Sequence, residues 1–269
     1  MGSGIAHALL VAGCDVVLIE QNKSDLDNSH DRITASVTES VIRGALAANP
    51  IDTVARLTLS TSMSKLRSAE LVIEAVPEEF SLKCAIFQMI ETEVSHSAII
   101  ATNTSCLSVT ELAASLKFPN RVIGLHFFNP VPSSQLVEIV ITDSTDDILL
   151  NRARGWVLAL AKTPIVVKDS PGFASTRLGV AIGLEAIRML EQGVASAEDI
   201  DTAMELGYKH PVGPLRLTDL VGLDVRLQIA RFLENSLGAR FSPPELLIRM
   251  VANGELGRKS GKGFYDWAK

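Results

Sequence analysis

The sequence is poor in cysteine, has no cluster of positive charge and has no hydrophobic run long enough to cross a bilayer. Each lack removes a class of function. Cys14, Cys84 and Cys106 are the only cysteines among 269 residues. They are odd in number, widely separated and free of CxxC or His/Cys spacing, so no disulfide framework and no metal site is expected, and a reducing cytoplasm is the expected compartment. A net charge of -6 with no basic run argues against nucleic acid as a partner, and leaves any anionic ligand to individual Lys or Arg side chains. No apolar stretch reaches transmembrane length, and no charged segment followed by an apolar one opens the chain, so neither membrane spanning nor export is expected. There is no internal repeat and no low-complexity tract.

What is present begins abruptly. Residues 1–13 read as a helix with small residues at its start, and Cys14 to Glu20 as the strand after it. This is the second half of a βαβ unit. A dinucleotide-binding unit has a first strand ending in G-x-G-x-x-G, whose glycines let a pyrophosphate approach the helix amides. Gly2 stands at the third glycine, and Glu20 ends the next strand where an acidic residue binds ribose hydroxyls. The chain reads as one that begins a strand late, with the edges of the neighbouring strands exposed.

Strands and helices then alternate. Helical periodicity runs from Asn22 to Asn49. Short apolar runs at 57–61, 71–76, 98–102 and 121–128, with another ahead of Lys168, read as strands, and Ser108 with Glu111 caps a helix over 109–116. Asp169-Ser170-Pro171-Gly172 punctuates the change to an all-helical remainder, giving domains of 1–169 and 170–269. In the second, 173–192 is apolar along most of its length and expected to be buried in a helix bundle or an interface, 218–237 reads as a single helix, and Pro243-Pro244 opens another. A part this small burying such a helix is expected to form a homodimer. The basic, Gly-rich end, 257–267, carries Phe264, Tyr265 and Trp267 and is expected to dock rather than trail in solvent.

The chemistry gathers at Gly124-Leu125-His126-Phe127-Phe128-Asn129-Pro130, with Glu138 in the apolar run beyond Pro132. If the two runs pair antiparallel about Pro132, residues equidistant from the turn face each other, which sets His126 opposite Glu138. A carboxylate accepting from one ring nitrogen fixes the imidazole tautomer and raises its basicity, so that the other nitrogen can exchange a proton with a substrate. A lone histidine at a sheet edge is more often structural. Here it is accompanied by Asn103-Thr104-Ser105-Cys106 at the carboxyl end of another strand, where open α/β sheets bind ligands.

Through the segments MGSGIA, VIEAVPE, ATNTS, GLHFFNPVP, QLVEIV, DSPGF, GPLRLTDLVGLD and LGRKSGKGFYDW, running from Met1 to Trp267, the chain resembles the L-3-hydroxyacyl-CoA dehydrogenase family, most of all its short bacterial 3-hydroxybutyryl-CoA members. The resemblance implies a Rossmann-like NAD domain, here without its first strand, followed by a helical dimerisation domain. It implies oxidation of the 3-hydroxyl of an acyl-CoA to a ketone with hydride transfer to NAD. By the same resemblance His126 is the general base, Glu138 its orienting partner, Ser105 the ligand of the substrate 3-oxygen, and Asn129 a holder of substrate and nicotinamide. Glu20 is the ribose ligand and Gln21 follows it; Ala75, Glu78, Lys83 and Asn103 line the nucleotide; and Lys259 lies near the cofactor. An acid at 20 favours NAD over NADP. Two departures stand out. Thr176, after Ser175, replaces the substrate-binding asparagine of P-G-F-x-x-N-R, and the segment 22–49, where relatives meet CoA with lysines, has only Lys23, Arg32 and Arg43 as basic residues. Two other functions remain compatible: a gulonate-type hydroxy-acid dehydrogenase of the same architecture, and a non-catalytic dimer if the late start abolishes NAD binding.

Overall fold

The computed structural model describes residues 1–44 and 46–267, in two compact units, Met1–Asp169 and Ser170–Lys269. The first unit is α/β. Its helix α1 (Gly2–Val11) leads into strand β1 (Val16–Ile19), the long helix α2 (Lys23–Ile42), the short α3 (Pro50–Val54) and β2 (Leu57–Ser60). Then come β3 (Leu71–Glu74), α4 (Phe80–Glu93), β4 (Ile99–Thr102), α5 (Val109–Ala114), β5 (Val122–Phe127), β6 (Leu136–Ile141), α6 (Asp147–Ala159) and β7 (Thr163–Lys168).

Among the described residues the strands form two sheets. β1 and β2 pair in parallel, and β3-β4-β5-β6-β7 form a second sheet in that order. No ladder joins β1 to β3; helix α1 connects the sheets instead. Ile5 and Ala8 pack into the core of the larger sheet with Ile99, Ile123 and Leu125. Ala6 and Leu10 pack with Val16, Ile33 and Val37 beside the smaller one.

Local sequence explains the helix starts. Asn22, Asn49, Ser108 and Asp146 each accept a backbone N–H of the first turn of α2, α3, α5 and α6, the capping that short oxygen-bearing side chains provide. The helical reading of 22–49 therefore resolves into α2 and α3, the second opened by Asn49 and Pro50.

In the larger sheet only β5 and β6 run antiparallel. Gly124 makes their approach possible: a Cβ there would lie 2.6 Å from that of Val140, its cross-strand partner.

The second unit is helical: α7 (Ser175–Glu191), α8 (Ala197–Thr202) with a π-helical turn after it, α9 (Pro214–Val221), α10 (Leu223–Leu237) and α11 (Glu245–Ala252). One expectation is corrected here. The single helix over 218–237 is two, because Pro214 opens α9 and Gly222, at φ 106, ends it. Only glycine adopts that conformation without strain. Helix α7 buries one face within the unit: Val180, Leu184 and Ile187 are in the core, whereas Leu178 is 62% and Ile182 38% exposed.

The end of the chain docks as expected, around one carboxylate. Asp219, 1% exposed, accepts from Phe264 N, Tyr265 N and Trp267 Nε1 at 2.8–2.9 Å. Gly257 and Gly263 pass so close that a Cβ on either would overlap Asp219. Arg216 lies 4.0 Å from the Tyr265 ring centroid, where a cation is attracted to the ring face.

Candidate active site

His126 occurs on a strand buried from end to end, and the register pairs it with Glu138. Its Nδ1 lies 2.7 Å from Glu138 Oε2. Glu138 is fully buried and His126 6% exposed, so little solvent dilutes the attraction, and a hydrogen bond to a buried carboxylate is among the strong ones. The Phe128 ring lies 4.4 Å from the imidazole, tilted across it. Sequence reasoning gave Phe128 no part. Between them, the carboxylate and the ring restrict both the plane and the tautomer of His126.

The loop from β5 to β6 is secured from two sides. Lys162 Nζ donates to the carbonyls of Val131 and Ser134. A Cβ on Gly4 would come within 3.0 Å of Val131, so the first turns of α1 lie against this loop. Asn129 is exposed on it, joined to Pro130 by a cis peptide bond.

Ser105 is placed by a second set of contacts, centred on Glu78. One oxygen, Oε1, accepts from Thr104 Oγ1 at 2.5 Å, Ser105 N at 2.8 Å, Ser105 Oγ at 3.3 Å and Cys106 N at 3.3 Å. Its other oxygen is 3.3 Å from Lys83 Nζ. Burial acts to raise Glu78, but the Thr104 and Ser105 hydrogen bonds and the Lys83 charge outweigh it and hold the carboxyl below its ordinary value. The same carboxylate and burial push the neighbouring Cys106 thiol up to about 12, burial being the larger cause, so this cysteine stays protonated.

Lys83 is 1% exposed. Its ammonium reaches Glu74 at 2.7 Å and the Val76 carbonyl at 3.2 Å, and Glu74 in turn accepts from Thr102 Oγ1 and Val76 N. The lysine is thus enclosed by this network. Of its two carboxylate partners only Glu78 is partly exposed, at 31%. Glu74 and Thr102, absent from the sequence expectation, complete the network; an acid and a hydroxyl at facing ends of parallel strands were its only sequence sign.

The remaining expected residues divide between the units. Glu20, just past β1, accepts from Ser29 Oγ at 2.7 Å through Oε1, and Gln21 after it is exposed. Asn103 accepts Phe127 N at 2.8 Å, tying the end of β4 to the His126 strand. Ala75 follows β3, and a Cβ on Gly2 would meet only Ala75, at 3.9 Å. In the second unit Thr176 lies in the first turn of α7, half-buried. Lys259 pairs with Asp224 at 2.5 Å.

These features fit a dinucleotide. The start of α1 has no side-chain cap and no acid in its first turn, so its amides and dipole are available to an anion. Glu20, Ala75 and Asn103 stand at carboxyl ends of parallel strands, and Gly2 leaves room for a backbone-level approach.

The comparisons with known proteins agree over the whole chain. Residues 1–170 match the NAD binding domain of 3-hydroxyacyl-CoA dehydrogenase and residues 172–267 its C-terminal domain. A 3-hydroxybutyryl-CoA dehydrogenase of Mycobacterium tuberculosis is 41% identical, with 99% of this chain and 95% of that protein aligned. One of Clostridioides difficile is 37% identical, with 100% and 96% aligned. The crystal structure of the (S)-3-hydroxybutyryl-CoA dehydrogenase of Ralstonia eutropha superposes with a TM-score of 0.95 at 38% identity, covering 100% of this chain and 96% of that one. With the buried imidazole–carboxylate pair on a dinucleotide-binding sheet, these matches show that the chain belongs to the 3-hydroxyacyl-CoA dehydrogenase family, its first unit being the family's NAD-binding domain and its second the family's helical C-terminal domain.

Proposed function

We propose that the protein interconverts (S)-3-hydroxyacyl-CoA, with 3-hydroxybutyryl-CoA as the representative substrate, and the corresponding 3-ketoacyl-CoA. The observation that carries this reading is the 2.7 Å contact between His126 Nδ1 and Glu138 in a buried setting. NAD, when bound, supplies the acceptor for the hydride from C3.

In the oxidative direction the imidazole, held through Nδ1 by Glu138, takes the hydroxyl proton at Nε2 as the C–O bond becomes a carbonyl. Two electrons and one proton leave as the hydride, the second proton rests on His126, and the reverse reaction returns both. Ser105, held through its backbone N–H by Glu78, turns its hydroxyl from the 3.3 Å contact with that carboxylate to donate to the 3-oxygen, and Asn129 adds an amide beside it. Thr176 replaces an amide with a shorter hydroxyl that still donates a hydrogen bond. Gly2, Glu20, Ala75 and Asn103 hold the dinucleotide; Gln21 borders it; Glu78 lines it with Lys83 behind; and Lys259, in the second unit, keeps the cofactor role that the family resemblance gives it.

The protein acts in the cytoplasm as a homodimer joined through its helical unit, a reading supported by the free cysteines and by the apolar side chains left exposed on α7, α9 and α10.

The test is NADH oxidation with acetoacetyl-CoA, run beside NAD reduction with free hydroxy acids and calorimetric titration with NADH. Turnover of acetoacetyl-CoA is expected. Turnover of a free hydroxy acid alone, or a folded protein giving no heat with NADH, overturns the reading.

A further inference from the structure

Glu20 has one carboxylate oxygen tied and one available. Oε1 accepts from Ser29 Oγ at 2.7 Å, and among the described residues no hydrogen bond reaches Oε2. Ser29, on α2, is fully buried. Its oxygen also meets Arg32 Nη2 at 3.1 Å and Ser3 Oγ at 3.4 Å. A guanidinium only donates and an ionised carboxylate only accepts, so the direction of the chain is forced: Arg32 donates to Ser29, and Ser29 gives its single proton to Glu20. The Ser3 hydroxyl fills the remaining acceptor position. Every hydrogen-bonding capacity of the buried hydroxyl is used, and the cation behind it polarises the bond to the carboxylate.

Arg32 is held on its other side as well, Nε donating to the Asn28 carbonyl at 3.2 Å. Its side chain is exposed, and no ion pair joins it to a carboxylate among the described residues. A guanidinium thus stands one hydroxyl away from Glu20 with no counter-ion in contact. Ser3 lies between Gly2 and Gly4 in the first turn of α1, so the same network reaches the helix start where a pyrophosphate is proposed to approach.

We propose that Ser29 and Arg32 set the cofactor specificity of the protein. Through Ser29, Arg32 fixes Glu20 by Oε1 and leaves Oε2 to accept from the adenosine ribose of NAD. A 2′-phosphate in that place meets the carboxylate charge and is refused. With the carboxylate gone, the same position presents a guanidinium and a hydroxyl whose proton has been released, and an arginine here is how dinucleotide folds accommodate a 2′-phosphate. Arg32 is therefore a positioning residue for NAD and a latent ligand for the phosphate of NADP, kept from that role by Glu20. This rests on the reading of Glu20 as the ribose acid.

The experiment is calorimetric titration of the full chain with NADH and with NADPH. It compares the unmodified protein, Arg32→Met, Glu20→Ala and the two changes together, each shown folded by circular dichroism. The unmodified protein is expected to bind NADH and to bind NADPH far more weakly. Arg32→Met alone should weaken NADH binding. Glu20→Ala should weaken NADH and strengthen NADPH, the latter about tenfold or more, the scale of a charge-assisted hydrogen bond. Adding Arg32→Met to Glu20→Ala should abolish the NADPH gain and leave NADH where Glu20→Ala put it. A folded unmodified protein that binds neither nucleotide overturns the NAD reading and this inference with it. Unchanged affinities for both nucleotides in Glu20→Ala overturn Glu20 as the ribose acid. Weakened NADH binding in Glu20→Ala with no gain for NADPH, or a gain that persists when Arg32 is replaced, overturns this inference alone.

Discussion

Glu78 accepts the Ser105 backbone N–H at 2.8 Å and the Ser105 hydroxyl at 3.3 Å with the same carboxylate oxygen. The side chain proposed to meet the substrate oxygen is thus set by an acid from a different strand end, itself oriented by Lys83. Replacing Glu78 with alanine deprives the Thr104 hydroxyl and the Ser105 amide of an acceptor, leaves the Cys106 amide only its 3.4 Å contact with Thr104 Oγ1, and lets the loop shift. Displacements near 1 Å in positioning groups cost about 10²-fold in rate. Turnover of acetoacetyl-CoA by Glu78→Ala is expected to fall by about that factor, and steady-state kinetics check it.

His126→Ala removes the proposed base and should cut turnover roughly 10²–10⁴-fold. Glu138→Gln keeps the shape but not the charge that orients the ring, and should lower turnover in the same direction. Circular dichroism should show both variants folded. Near-normal NADH oxidation by either would remove the pair from the mechanism.

Lys83→Met leaves Glu74 buried with its hydroxyl and amide donors but without its counter-ion. Breaking one side of a buried pair typically destabilises by about 3–5 kcal/mol. Lys83→Met together with Glu74→Gln removes both charges and should restore part of the loss. Urea unfolding of the single and double variants measures both, and equal stability of Lys83→Met and the unmodified protein would contradict the network.

The depressed Glu78 carboxyl sets a direction for the pH dependence. A group held below its unfolded value contributes stability that is complete above that ordinary value, 4.5 for this carboxyl, and lost as pH falls through the lower folded value. Stability should therefore drop on acidification below about 4.5, and the drop should be shallower in Glu78→Gln. Thermal melts across pH 3–7 test the difference, and parallel profiles would remove Glu78 as a contributor.

Asp219→Ala takes away the acceptor for two backbone amides and the Trp267 indole. Hydrogen bonds to charged groups contribute about 1.5–3 kcal/mol each. The end segment should detach and become sensitive to limited proteolysis near 257–263, with a lowered melting temperature. Protection equal to that of the unmodified chain would mean that the aromatic side chains hold the segment without the carboxylate.

The facing of His126 and Glu138 was legible because both lie on apolar runs separated by a proline-marked turn, and antiparallel register follows from counting outward from it. The start of α5 was legible for the same local reason: Ser108 caps an amide only three residues on. The break at Gly222 was missed because apolar periodicity continues through it, although Pro214 and the glycine were its signals. That 173–192 is largely apolar was legible, but which of its apolar side chains fill the core was not, because hydrophobicity by itself does not say which face has a partner.

By itself the sequence determined the elements, the imidazole–carboxylate register, the glycine-led helix start and the family, since these rest on spacing along a few adjacent residues and on motifs in order. Tertiary structure alone decided that Glu78 holds Ser105, that Lys83 is enclosed between Glu74 and Glu78, and that Asp219 gathers the end of the chain. Glu78 and Ser105 are 27 residues apart, and Asp219 and Trp267 are 48. No local periodicity records which distant side chain a buried charge will meet; that depends on how the strands and helices stack and on which polar groups the stacking leaves within 3 Å.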